Sequence, residues 1–270
     1  MQLRSILIFT LTMLAAVFFA GCFPNSSNVF QGYIEGEYVY VASPLGGALT
    51  NLAVTRGDEV KAGQLLFELE RESEAAAVRQ AEKNLAQSEA NLTLSESDLT
   101  RREQLRADNG VISAEELDQA KSQRDSDVAQ VESLNDALTK VRWSFDQKQQ
   151  FAPTNAFVQD TLYRSGEWVA AGNPVVVLLP PENLKVRFFV PQEFLPRIKT
   201  GQTVSVTFDG GSHPYSATIH YISTQAEFTP PVLYNRENRA KLVFMIEAKF
   251  SSSDAAELRP GQPVDVKLEK

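Results

Sequence analysis

Ser43 to Leu69 reads S-P-L-G-G-A-L-T-N-L-A-V-T-R-G-D-E-V-K-A-G-Q-L-L-F-E-L, and Ala152 to Leu178 reads A-P-T-N-A-F-V-Q-D-T-L-Y-R-S-G-E-W-V-A-A-G-N-P-V-V-V-L. At an offset of 109 residues, without a gap, Pro44 meets Pro153, Gly57 meets Gly166, Val60 meets Val169, Ala62 meets Ala171 and Gly63 meets Gly172. Each segment holds short strand-like runs separated by glycine turns. They are Leu49 to Val54 and Leu65 to Leu69 in the first, Phe157 to Tyr163 and Val175 to Leu179 in the second. Neither half has enough strands to bury a core alone, so the repeat predicts two halves paired into one small sandwich.

Between the halves, from about Ser73 to Lys148, the chain has no proline and a single glycine, Gly110. Val78, Leu85, Leu92 and Leu99 recur every seven residues; Leu117, Ala120, Arg124, Val131, Leu134, Leu138, Val141 and Phe145 keep 3–4 spacing. Heptads with charges on the other faces predict two antiparallel helices in a coiled-coil hairpin. The reversal falls at Asp108-Asn109-Gly110, and Ser113-Ala-Glu-Glu restarts the helix with a capping box. Ser88, Ser95 and Asp127 thin the seam, which suits packing against neighbouring hairpins; a plain long spacer is the other reading.

From Glu182 onward the pattern is that of alternating strands: Lys185 to Val190, Thr203 to Phe208, Ala217 to Ile222, Lys241 to Phe250 and Val264 to Leu268. G-Q-T-V-S-V at Gly201 to Val206 and G-Q-P-V-D-V at Gly261 to Val266 introduce two of them alike, and a small antiparallel barrel is expected. Ala226 to Val232 (A-E-F-T-P-P-V) reads as a stiff loop exposing Glu227 and Phe228.

The chain begins with one cation, Arg4, then an apolar run from Ile6 to Phe19. This is the form of a secretory signal, and the run is shorter than the ~20 residues of a membrane-crossing helix. Ala20-Gly21 before Cys22 resembles the bacterial lipobox, in which the cysteine is lipidated; an ordinary cleaved signal is the alternative. Phe23 to Asn28 reads as a polar tether.

Composition excludes more than it assigns. The chain has 270 residues, a net charge of −8, one cysteine and two histidines. General attraction to nucleic acid, an internal disulfide and cysteine-based metal clusters are therefore not expected. There is no H-E-x-x-H, no G-x-x-x-x-G-K-[ST] and no G-x-S-x-G; Gly210-Gly211-Ser212-His213 reads as a strand-linking turn, and His220 as a structural or surface histidine. No catalytic, cofactor-binding or metal residue is assigned.

The order of parts, with G-D-E-V-K-A-G-Q-L-L-F-E-L at Gly57 to Leu69 and S-A-E-E-L-D-Q-A at Ser113 to Ala120, resembles the HlyD-type membrane fusion proteins. These are the periplasmic adaptors of tripartite efflux and secretion pumps. I-S-T-Q-A-E-F-T-P-P and L-R-P-G-Q-P-V-D-V look most like the branch serving ABC-type exporters. The resemblance implies an α+β, mainly β fold: a split biotinyl/lipoyl-like sandwich with an inserted α-helical hairpin, then a β-barrel. In residue numbers this divides the chain into a lipoprotein signal (1–21), a tether (22–30), a first lipoyl-like half (31–72), the hairpin (73–148), the second half (149–181) and the barrel (182–270).

The resemblance also implies a role and partners. The role is a non-enzymatic adaptor in the periplasm, lipid-anchored through Cys22 to the inner membrane and assembled with itself in a homo-oligomeric ring. Its partners are an inner-membrane transporter (an ABC permease with its ATPase) and a TolC-like outer-membrane channel. Arg101, Leu105 and Ser113 match in type and order the family's channel-contacting residues, although Leu105 to Ser113 is one residue longer than the pattern, and Ser113 is also explained as a helix cap. Glu227 and Phe228 fall on the transporter side. No cofactor is implied, because Ser73 stands where a lipoyl or biotinyl lysine would be. The alternatives are an adaptor of a proton-driven pump, a substrate-presenting periplasmic lipoprotein, and a lipoyl-type carrier.

Overall fold

A computed structural model of the chain describes residues 28–211, 213–228, 242–255 and 257–269. The signal segment, Cys22, Ser212 and Thr229 to Lys241 lie outside the described residues. Gly36–Leu184 form one compact unit; the described chain up to Glu35 and from Lys185 forms the other.

The second of these units is a closed barrel. Its strands are β1 (Val29–Gly36) and, after the first unit, β10 (Leu184–Pro191), β11 (Thr203–Thr207), β12 (Tyr215–Phe228), β13 (Leu242–Phe250) and β14 (Pro263–Leu268). They close in the order β1-β10-β13-β12-β11-β14. Side chains alternate across a strand, so Phe30, Ile34, Val186, Phe188, Val204, Val206, Ile219, Ile246, Val264 and Val266 fill the interior.

The sequence assigned residues 29–36 to the tether and the first lipoyl-like half; they are instead a barrel strand, with Phe30 opposite Val266 and Gly32 opposite Val264. Five strands alone would leave two open edges, and β1 closes them by burying Phe30 and Ile34. Gly32 makes that closure possible, because a Cβ there would collide with the Arg187 carbonyl oxygen and lie 2.7 Å from Phe188 Cβ.

In the other unit the two sequence halves interleave. The first half supplies β2 (Val39–Ala42), β3 (Gly47–Leu52), β4 (Glu59–Val60) and β5 (Leu65–Leu69); the second supplies β6 (Gln149–Phe151), β7 (Ala156–Thr161), β8 (Trp168–Val169) and β9 (Pro174–Leu179). The sheets are β2-β9-β7-β4 and β6-β5-β3-β8, each taking two strands from each half. Bonds repeat with the sequence: Gly57 N–H donates to Val158 O at 2.9 Å, and its counterpart Gly166 N–H donates to Leu49 O at 2.7 Å. Both glycines sit at positive φ, 96° and 95°, where an L side chain would be strained. The core between the sheets includes Leu49, Leu66, Phe67, Leu69, Val169 and Leu178.

The hairpin grows from β5 and β6. Helix α1 (Glu72–Asn109) ends at Gly110, which is left-handed at φ 63° and donates its N–H to Arg106 O. Helix α2 (Ala114–Asp146) starts at the Ser113 cap. With 38 and 33 residues, the helices run ~57 and ~50 Å at 1.5 Å per residue. Leu99, Ala120 and Leu138 are buried along the seam, as is Ser88.

Candidate partner-contact sites

The hairpin end brings together two of the three residues singled out there. Arg101 and Leu105 are exposed and lie four residues apart on α1, so they share a face. Leu105 is 42 % exposed, and Val111 in the turn is 75 % exposed. Between them Arg102 turns inward instead. Its Nε lies 2.7 Å from Asp98 Oδ2, and its Nη1 donates to Glu116 O at 3.4 Å. This braces one helix against the other. Beside Arg101 runs an open groove of about 530 Å³, lined also by Leu94, Asp98 and Gln123.

Ser113 is held differently. Its hydroxyl oxygen accepts the Glu116 N–H at 3.2 Å, while its own O–H and N–H donate to Glu116 Oε2 at 2.8 and 2.9 Å. These bonds, the backbone one first, hold the Glu116 carboxyl below its ordinary range. The hydroxyl is thus engaged in the cap, while Arg101 and Leu105 present their side chains outward.

On the barrel, Glu227 and Phe228 depart from the loop expected of them. Both belong to β12, with Glu227 opposite Val243 and Phe228 opposite Leu242 on β13. The strand pair runs on past an irregularity in register between Ile222 and Ala226, and so takes up residues that prolines downstream made look like loop. Glu227 is exposed there, and Leu242 is 38 % exposed.

The sequence reading missed a charge cluster on the barrel wall. Lys185 Nζ lies 2.8 Å from Glu247 Oε2, and Arg187 Nη2 lies 2.8 Å from Glu247 Oε1 and 2.7 Å from Glu35 Oε2. His220 Nε2 is 3.5 Å from Glu247 Oε2. Burial works to raise the Glu247 carboxyl, but hydrogen bonds from Lys185 and Arg187 outweigh it and hold the group below its ordinary value. A lone charge inside a strand carries no sequence pattern; the cross-strand register of β10 and β13 is what assembles the cluster.

Among the described residues no group of three or more His, Cys, Asp or Glu could hold a metal ion. No helix among them is long and apolar enough to cross a membrane.

Residues 77–148 match the family model for the RND MFP alpha-helical hairpin domain. The UPF0194 membrane protein YbhG of Salmonella gallinarum is 28 % identical, over 88 % of this chain and 87 % of that protein. A UPF0194 membrane protein of Enterobacter sp. is 26 % identical over the same shares. Among solved structures, MacA from Actinobacillus actinomycetemcomitans superposes with a TM-score of 0.68 at 16 % identity, covering 89 % of this chain and 78 % of that one. The membrane fusion protein of Streptococcus pneumoniae R6 gives 0.65 at 18 % identity, covering 90 % and 98 %. These likenesses establish the fold. The hairpin match adds that residues 77–148 are similar to the helical hairpin domain of RND-type membrane fusion proteins.

Proposed function

We propose that the protein is the periplasmic adaptor subunit of a tripartite efflux pump, tying an inner-membrane transporter to a TolC-like outer-membrane channel. The observation that carries this reading is the hairpin match at 77–148, seated on a split sandwich whose two halves flank it in sequence. In this role Cys22 anchors the chain by lipid to the inner membrane, and copies associate in a ring. The exposed Arg101 and Leu105 meet the channel, while Ser113 fixes the start of α2 beside them. Glu227 and Phe228, on the extended β12–β13 pair, face the transporter. Energy for transport comes from that partner, since this chain carries no nucleotide motif.

The matched hairpin model is an RND one. That supports a proton-driven transporter over the ABC permease and ATPase to which the C-terminal motifs pointed. Crosslinking in intact cells, followed by mass spectrometry of the purified complex, tests both levels. A proton-driven transporter together with an outer-membrane channel is the expected result. An ABC permease in its place would return the branch to the exporter type, and recovery of neither transporter nor channel would overturn the adaptor reading.

A further inference from the structure

The base of the hairpin holds a buried lysine that the sequence did not single out. Lys148, 5 % exposed, is the second residue after α2. Its Nζ donates to Gly46 O at 2.8 Å and lies 3.0 Å from Glu74 Oε1 in the first turn of α1. One residue back, Gln147 O accepts the Ser43 hydroxyl at 2.8 Å. The remaining Glu74 oxygen, Oε2, is buried without a hydrogen-bond partner, so Lys148 is the cation that compensates this carboxylate.

The geometry matters because of how the helices leave the sandwich. They continue β5 and β6, which form a ribbon at the edge of their four-stranded sheet, closed by the Leu69 N–H to Lys148 O bond at 2.8 Å. Arg71 lies over the Phe145 ring at 4.6 Å and pairs with Glu68 at 2.6 Å, which ties the two helices to each other and to that ribbon. Lateral support comes from elsewhere, from the loop between β2 and β3, through Ser43 and Gly46.

The internal repeat gives an independent check. At the same offset of 109 residues, Ser43, Gly46, Gly47 and Lys148 correspond to Ala152, Asn155, Ala156 and Val39. Val39 and Ala152 lack the ammonium and the hydroxyl that donate here, and no hairpin leaves the sandwich on their side. Asn155 uses its side chain to accept the Ala62 N–H at 3.0 Å. Gly47, where the counterpart has a methyl, leaves the space that the ammonium fills, since a Cβ there would lie 3.2 Å from Lys148 Nζ. The symmetry of the sandwich is therefore broken where a hairpin must be held.

We infer that Lys148, with Ser43 and Glu74, is a clamp that fixes the direction of the hairpin against the sandwich, so that the hairpin moves as a rigid arm with it. The use of such an arm rests on the adaptor reading; the clamp itself does not, and its test needs no partner. Spin labels at Asn51→Cys on the sandwich and Ala90→Cys on α1, in a full-length Cys22→Ser background, report the angle as a distance distribution. A narrow distribution is expected in this parent. It should become at least twofold broader in Lys148→Met/Ser43→Ala while the far-UV helical signal is unchanged. Equal widths with the helices intact would overturn the clamp. If the double variant loses helical signal, Glu74→Gln and Ser43→Ala alone decide: broadening in either supports the clamp, and unchanged width in both overturns it.

Discussion

The sandwich and the hairpin are one continuous piece of chain at β5 and β6, yet they bury themselves in opposite ways. Strands of two to six residues enclose Leu49, Leu66, Phe67, Leu69, Val169, Val175, Val176 and Leu178 so completely that none retains exposure above 0 %. Along helices of 38 and 33 residues, burial reaches Ser88, Leu99, Ala120 and Leu138. The sandwich takes its shape from packing between sequence-distant halves. The hairpin takes its shape from local rules, namely heptad spacing, a capping box and a left-handed glycine, and is directed by contacts at its base. It leaves apolar side chains unburied, among them Leu94 at 69 % exposure and Leu105 at 42 %.

The comparison breaks most visibly with core deletions. Phe67→Ala empties a fully enclosed site and should cost about 4 kcal/mol in urea-unfolding stability. Leu138→Ala, in a seam that also buries Ser88, should cost about 2 kcal/mol. Equal losses would mean that the seam is as dry as the sandwich. Next comes the barrel wall. Since the Glu247 carboxyl titrates below its ordinary 4.5 when folded, its stabilisation is present above that pH and fades as the pH falls through the folded value. Glu247→Gln should therefore lower stability at neutral pH and flatten the acid limb below 4.5. An acid limb identical to the parent's would remove Glu247 from that account.

Smaller effects sharpen the local side of the contrast. Ser113→Ala removes the α2 cap and should destabilise that end by about 1 kcal/mol. Hydrogen exchange should quicken at the Glu116 amide and leave the sandwich amides unchanged. Smallest is Glu82→Ala, which breaks the exposed Arg142–Glu82 pair at 2.7 Å between the helices; a change within about 0.5 kcal/mol is expected in thermal unfolding.

What the sequence made legible follows the same division. The repeat predicted a sandwich of two halves, and the heptads with their breaker at Gly110 predicted two helices, because both patterns are periodic. Strands as short as Glu59–Val60 and Trp168–Val169 were not read; two residues show no period, and their pairing partners lie in the other half. The first barrel strand was assigned elsewhere because its partners, β10 and β14, are more than a hundred residues away. Arg101 and Leu105 were singled out by resemblance to a motif. Lys148 was not, for a single lysine at a helix end looks like any solvated charge until the fold buries it.

In the proposed function the hairpin end meets an outer-membrane channel. The direct measurement is site-specific photocrosslinking in living cells, with the photoreactive residue placed at Leu105 and, as a control, at Tyr40 on the exposed edge of the sandwich. A covalent adduct to an outer-membrane channel, identified by mass spectrometry, is expected from position 105 and none from position 40. An absence of channel adducts at 105, in cells where the protein is present at normal levels, would contradict it.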